Sequence, residues 1–322
     1  DPKNEYTQLA EAIGMKVVRL APGGSSRINP LGDGGGPDEG RVLRQTASVT
    51  ALLETCAAST SGERLSSTDR AAISAAVKVT STVAGATLGD LVRLWRAPTA
   101  ELVSASQMAP ERLAEAGQRV SDIAAALLGG VLAGMFDGAS TERLSFDDPG
   151  VVVGLSAVQS DPAALPLVML ATTAWLSELR VGAAKQWIQV MDEVWALLAH
   201  ESSARWLQAS YKLGRTFGVA NWLITHRLSD MGAQADAGSA ASEIGKGLLA
   251  DTATRILMRQ NPIEAELAGD RFGLNAAERA ALKTLKPGRA LWKVGDNTAL
   301  VDHLMHVREM PLVDTDQFMR AS

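Results

Sequence analysis

The sequence predicts an α/β fold: a mostly parallel sheet with helices on both faces, interrupted by an all-α subdomain and closed by a C-terminal β-hairpin. Three observations carry that reading. After residue 146, short apolar runs alternate with helical periodicity, the pattern of strand–helix–strand units. Between residues 37 and 145, four helical patterns follow one another with no strand signal. Near the end, Pro287-Gly288 and Gly295-Asp296-Asn297 punctuate two strand-like runs, a hairpin signature. The expected organisation is therefore residues 1–36 as the first part of the α/β domain, 37–145 as the insertion, and 146–322 as the second part.

Thr7 to Ile13 reads as a short helix with Leu9, Ala10 and Ile13 on one side, and Lys16 to Leu20 as a strand. Residues 21–36 are rich in Gly, Pro and Ser and read as loop. Pro37-Asp38-Glu39 is a helix start, with proline and acids in the first turn; Val42, Val49, Leu52, Leu53 and Cys56 follow at helical spacing. Ser67 and Asp69 introduce a helix through Ile73 and Val77. Thr87-Leu-Gly-Asp90 resembles a capping box ahead of Leu88, Leu91, Val92 and Trp95. Pro110 opens a helix carrying Leu113, Val120, Ile123, Leu127 and Val131.

Strand signals return at Val151–Val158, after Asp147-Asp148-Pro149-Gly150. A helix from Asp161 to about Arg180, a strand at Trp187–Met191 and a helix from Ser203 to Phe217 follow. Next come a strand at Val219–Ile224, a loose stretch from Gly232 to Gly247 with a helix near Ser242–Leu249, and a strand at Thr252–Met258. Asn275 caps a helix through Leu282 and Leu285, and the chain closes with strands at Arg289–Val294 and Thr298–Val307.

Composition narrows the function. A chain of 322 residues is long enough for two domains, and 46% hydrophobic with 21% charged residues is ordinary for a globular protein. A net charge of −5 argues against a surface built to coat nucleic acid, leaving room for a local basic channel. The one cysteine, Cys56, excludes an internal disulfide and any multi-cysteine metal site, and it sits on an apolar helical face. His303 and His306, three apart on a predicted strand, point to opposite sides and do not form a metal pair. The longest apolar stretch, Ala163 to Leu176, is too short to span a bilayer. The opening residues carry no signal-peptide pattern, so a cytoplasmic location is expected.

The chemistry concentrates at strand ends. Lys185-Gln-Trp-Ile-Gln-Val-Met-Asp192-Glu193-Val-Trp195 is an apolar strand ending in two carboxylates. Open α/β sheets bind ligands at the carboxyl ends of their strands. There Asp192 can hold Mg2+ through water, and Glu193 can orient and deprotonate an attacking water. A strand followed by a solvated acidic turn is the plainer alternative. Two further strand ends carry polar groups, Thr225-His226-Arg227 and Arg259-Gln260-Asn261. In a parallel sheet all three ends would face one site. A Ser229–His226–Asp230 hydrolase arrangement has no nucleophile elbow to support it.

These motifs, in order, resemble a known family. The residues are Asp1-Pro-Lys-Asn-Glu-Tyr6, Ile28-Asn-Pro-Leu31, Val190-Met-Asp-Glu-Val-Trp195, Tyr211-Lys-Leu-Gly-Arg215, Asn221-Trp-Leu-Ile-Thr-His226, Ile256-Leu-Met-Arg-Gln260, Gly273-Leu-Asn-Ala-Ala-Glu278 and Pro287-Gly-Arg-Ala-Leu-Trp292. Together they are similar to the carboxyl-terminal motor domain of conjugative, type IV secretion ATPases (the TraC-like VirB family, in the HerA/FtsK branch of RecA-like motors). The resemblance runs nearly end to end, the helical insert being similar only in kind.

The resemblance implies a RecA-like domain that hydrolyses ATP with Mg2+ and assembles into hexamers. It implies docking on secretion-channel membrane proteins at the inner face of the membrane, and DNA or protein as cargo. It makes Asp192 the Walker B magnesium residue and Glu193 the catalytic base. Thr225 and His226 take the sensor position, where relatives carry glutamine in place of His226. Lys212, Arg215 and Arg259 become candidate cations of the active site, Arg259 with Gln260 beside it reaching a neighbouring subunit. The sequence contains no G-x-x-x-x-G-K-[ST] motif, and Gly245-Lys246-Gly247 lacks the leading glycine and the hydroxyl residue of one. A phosphate loop is therefore expected upstream of Asp1, with this chain a fragment of a longer protein. A non-catalytic scaffold with the same fold is the alternative.

Overall fold

The computed structural model describes residues 1, 3–33, 39–142, 144, 148–180, 186–230 and 239–313. The expected helix start at Pro37-Asp38, Asp147, Lys185 and residues 232–238 of the loose stretch lie outside them. The chain divides into two compact units, Asp1–Gln189 with His200–Trp222, and Val190–Ala199 with Leu223–Ser322.

In the first unit, α1 (Thr7–Ala12) leads to β1 (Lys16–Arg19). Strand β1 pairs in parallel with β2 (Val151–Gly154), Val18 opposite Val153. Sequence periodicity carries the second strand to Val158, but the chain turns after Gly154, with Val158 N–H donating to the Leu155 carbonyl at 3.0 Å. Among the described residues five helices lie between the two strands: α2 (Glu39–Thr60), α3 (Ser67–Thr80), α4 (Leu88–Arg96), α5 (Ala100–Ser106) and α6 (Pro110–Leu128). The sequence predicts four; the additional one is α5, a short helix started by the Thr99 hydroxyl, which accepts from Leu102 N–H at 3.2 Å. Val131 is not in α6 but in a 3-10 turn beyond it, Gly130–Leu132.

Local chemistry explains where these helices begin. At α4 the Thr87 N–H and hydroxyl both donate to the Asp90 carboxylate, at 2.8 and 2.7 Å. Its Leu88, Leu91, Val92 and Trp95 are buried along one stripe. Helix α6 crosses α4 closely because residue 117 is glycine: a Cβ there would meet the Trp95 carbonyl oxygen at 2.6 Å. The 28–31 motif is structural. Asn29 is fully buried, its amide donating to the carbonyls of Gly32 at 3.0 Å and Ala86 at 2.9 Å while its oxygen accepts from Leu31 N–H at 3.1 Å. It ties the opening loop to the helical region with its donors satisfied.

Helix α7 (Ala164–Leu179) and helix α8 (Glu201–Gly214) both pack on α2. Helix α7 is buried along nearly its whole first three turns, as its continuous apolar sequence requires. Strand β3 (Trp187–Met191) neighbours β4 (Val219–Leu223). Trp187 N–H donates to the Gly218 carbonyl and Ile224 N–H to the Met191 carbonyl, each at 2.9 Å, so starts face starts and the two strands run parallel. The glycine of the Tyr211–Arg215 motif is also explained by space. A Cβ on Gly214 would meet the Asn221 amide at 2.6 Å and the Val219 carbonyl at 3.1 Å, so only glycine lets the end of α8 lie on β4.

The second unit contains α9 (Ala240–Ala250), β5 (Thr254–Leu257), α10 (Pro262–Phe272), α11 (Ala276–Thr284), β6 (Arg289–Val294) and β7 (Asn297–Asp302). A short helix, α12 (Met310–Val313), ends the described chain. The sheet order is β5-β6-β7, antiparallel throughout, with the hairpin turning at Gly295, φ +56°. The expected hairpin is present, but β7 ends at Asp302, short of His303 and His306. Helix α10 is absent from the sequence reading. Its core cluster joins Leu228, Leu257, Ala265, Ala268, Phe272, Leu274, Leu282, Leu285 and Leu291. Among the described residues the strands are therefore joined as two parallel pairs and one antiparallel sheet, not as one continuous parallel sheet.

Candidate active site

The site grows from the end of β3. Strand residues up to Met191 follow ordinary extended backbone, and then Glu193 turns left-handed at φ +53°, ψ +36°. A non-glycine residue there is strained by about 1–2 kcal/mol, a cost that persists where surrounding contacts impose it. Those contacts are specific. Glu193 N–H donates to Asp192 Oδ1 at 2.9 Å. The next residues, Val194–Leu198, close a 3-10 turn in which Val194, Ala196, Leu197 and Leu198 are buried.

The turn splits the two adjacent acids between different environments. Asp192 is partly exposed, whereas Glu193 keeps only 5% of its surface. A buried carboxylate needs hydrogen-bond donors. Glu193 has them: the Trp195 indole N–H donates to Oε2 at 2.5 Å, and the His226 Nε2 lies 3.2 Å from Oε1. His226 itself is exposed, at 60% of its side chain. The carboxylate is thus gripped from inside by an indole and met from the solvent side by an imidazole.

His226 follows β4 and Thr225, so the ends of these two neighbouring strands do come together, as the sequence reading expects. The Thr225 hydroxyl donates to the Arg227 carbonyl at 3.0 Å, within its own loop. That loop has a second support. Glu264 of α10, 4% exposed, accepts the N–H groups of Leu228 at 3.0 Å and Ser229 at 3.3 Å. Its helix is started by Asn261, whose side chain accepts Glu264 N–H at 2.9 Å. Arg259 and Gln260 come just before Asn261. Arg259 is exposed, with no ion pair among the described residues, and Gln260 donates its backbone N–H to Leu282 at 2.9 Å. The structure shows neither side chain in contact with Glu193. Lys212, in α8, and Arg215, in the 3-10 turn that follows it, belong to the first unit. Both are exposed and without an ion pair among the described residues.

The sequence alone assigns no role to Trp195 or to Glu264. The signal for Glu264 was present: Asn261-Pro262-Ile-Glu264 is a helix start with a cap, a proline at the first position and an acid at the third. Gly245-Lys246-Gly247 lies inside α9, with Lys246 paired to Glu243 at 2.6 Å, so it forms no phosphate-binding loop. Among the described residues no group of three or more His, Cys, Asp or Glu could hold a metal ion by itself. No helix among them is long and apolar enough to cross a membrane.

The molecule is of mixed α/β class, and its fold is the RecA-like fold of VirB4 and TrwB. The particular likenesses are these. The structure of VirB4 of Thermoanaerobacter pseudethanolicus matches with a TM-score of 0.73 and 17% identity, over 96% of this chain and 82% of that one. The plasmid coupling protein TrwB in complex with the non-hydrolysable GTP analogue GDPNP matches with a TM-score of 0.55 and 12% identity, over 93% and 81% of the two chains. TrwB in complex with ADP and Mg2+ gives 0.54 and 11%, over 95% and 82%. No protein-family model matches the sequence, and no curated protein does.

Proposed function

We propose that this chain is the motor part of an ATPase that powers type IV secretion or conjugative transfer. It works as a hexamer docked on secretion-channel membrane proteins, at the cytoplasmic face of the membrane, and moves DNA or protein. Residues 37–145 form its inserted helical subdomain, between the two parts of the RecA-like domain. The observation that carries the reading is Glu193. It is buried and held in a strained turn at the end of β3, with both carboxylate oxygens engaged. Non-glycine residues held in a strained backbone by surrounding contacts cluster at functional sites.

Glu193 orients the attacking water and accepts its proton. Asp192, partly exposed beside it, would hold a magnesium ion through water. A single carboxylate suits Mg2+, which keeps several waters and nucleotide oxygens instead of entering an all-protein cage. Such an ion would supply neutralisation of the nucleotide's phosphate charge. Thr225 and His226 sense the nucleotide from the adjacent strand end. Arg259 with Gln260, and Lys212 with Arg215, supply cations to the transferring phosphoryl group. The three cations are exposed and have no ion pair among the described residues, which suits contact with a neighbouring subunit. The TrwB complexes with GDPNP and with ADP and Mg2+ support nucleotide chemistry on this fold.

A second reading, a non-catalytic scaffold of the same fold, draws on the lack of a G-x-x-x-x-G-K-[ST] motif in this sequence. One experiment separates the two. In the full-length protein, Glu193→Gln is expected to keep ATP binding and lose about 10²- to 10⁴-fold in kcat, the usual worth of a general base. No ATP binding by the wild type at millimolar concentration supports the scaffold, and unchanged hydrolysis in the variant removes Glu193 from the mechanism.

A further inference from the structure

We propose that Trp195 is a positioning residue for the Glu193 carboxylate. The proposal rests on the reading of Glu193 as the base. An indole N–H is a donor with no acceptor capacity, so its contact with Oε2 at 2.5 Å has one sense: it holds a carboxylate oxygen in place. The anchor is firm. Trp195 sits in the Val194–Leu198 turn, whose four other residues are buried, so the indole is carried on a packed base only two residues from the acid it grips. The imidazole on Oε1 belongs to an exposed residue in a separate loop, whereas the indole is tied to the same turn as Glu193. Trp195 therefore holds the carboxylate from within the turn that carries it.

Removing the donor leaves Oε2 buried without it and frees the Glu193 rotamer. Supporting groups one layer behind a reacting group are typically worth 10- to 100-fold in activity. In the full-length protein, Trp195→Phe is expected to lower kcat for ATP hydrolysis by about 10- to 100-fold and to leave the KM for ATP within about twofold.

A second readout needs no turnover. With 15N-labelled tryptophan, the Trp195 indole resonance is assigned by its loss in Trp195→Phe or, if that variant does not fold, in Trp195→Tyr. That resonance is expected to shift in Glu193→Gln, where a neutral amide replaces the charged acceptor, and to stay in place in Glu278→Gln. An unmoved resonance in Glu193→Gln overturns the contact. Wild-type kcat and KM in Trp195→Phe overturn the positioning role. If the resonance moves but Glu193→Gln still hydrolyses ATP at the wild-type rate, the contact stands and the positioning role falls with the base.

Discussion

Asp69 is the residue on which the helical region's acid stability turns. It is 4% exposed, and its two oxygens do different work. Oδ2 accepts from the Ser66 N–H at 2.9 Å and the Ser66 hydroxyl at 2.7 Å, closing the capping box of α3. Oδ1 accepts from Arg119 of α6, Nη2 at 2.7 Å and Nε at 3.2 Å, joining two helices 50 residues apart. Burial alone would raise the carboxyl's pKa, but the Ser66 bonds and the Arg119 guanidinium together bring it below the ordinary aspartate value. Asp69→Asn removes the charge and keeps the shape. A lost cap interaction costs about 1 kcal/mol. The charge-assisted pair costs about 1–2 kcal/mol more, discounted because Arg119 is half exposed. The expected loss is about 2–3 kcal/mol at pH 7, read as the shift in urea midpoint times the slope.

The sign follows from the lowered pKa. The folded state holds the ionised form more tightly than the unfolded chain does, so the contribution is complete above the unfolded value of about 4. It disappears as pH falls through the lower folded value. Wild type and Asp69→Asn should therefore differ by a constant amount from pH 7 to about pH 5 and converge in stronger acid. A difference under about 0.5 kcal/mol at pH 7, or one that persists unchanged at pH 2, refutes the reasoning.

Two further outcomes are expected. Burial pushes the Cys56 thiol up to about 11, so it should resist a thiol reagent at pH 8 in the folded protein and react fully once urea unfolds it; fast reaction without denaturant contradicts its burial. Of Lys212, Arg215 and Arg259, replaced singly by Ala, one that acts as a finger in a neighbouring subunit should lose about 10³- to 10⁵-fold in kcat with stability unchanged. Wild-type turnover in all three variants removes the cations from the proposed site.

Much of the fold was legible because it is written locally. Thr87 and Asp90, three residues apart, foretell the start of α4, and the apolar run of residues 163–176 foretells a buried helix. What was not legible has physical reasons. Helix α10 buries Ala265, Ala268 and Gly269 in its middle, has its one buried large apolar residue, Phe272, at its very end, and leaves Ile263 80% exposed, so no row of large apolar residues repeats along its inward face. Periodicity read from large hydrophobics passes over such a helix. Strand partners were not legible either: β5 lies antiparallel to β6, which follows it across two helices, and no property of Thr254–Leu257 distinguishes that pairing from a parallel one.

The site was legible as residue types and illegible as contacts, and the reason lies in one backbone angle. Asp192 and Glu193 are adjacent, and by strand alternation they would face opposite sides of the sheet as two equivalent acids. The left-handed turn at Glu193 breaks that equivalence. It leaves Asp192 partly exposed, its Oδ1 accepting the Glu193 N–H, while Glu193 turns in under the indole of Trp195 and the imidazole from the next strand. Two like carboxylates thereby acquire unlike surroundings, the condition under which one can serve a cation and the other a proton. Glycine would adopt that backbone without strain but would carry no carboxylate, so the conformational cost is borne by the one residue whose side chain the proposed chemistry cannot do without.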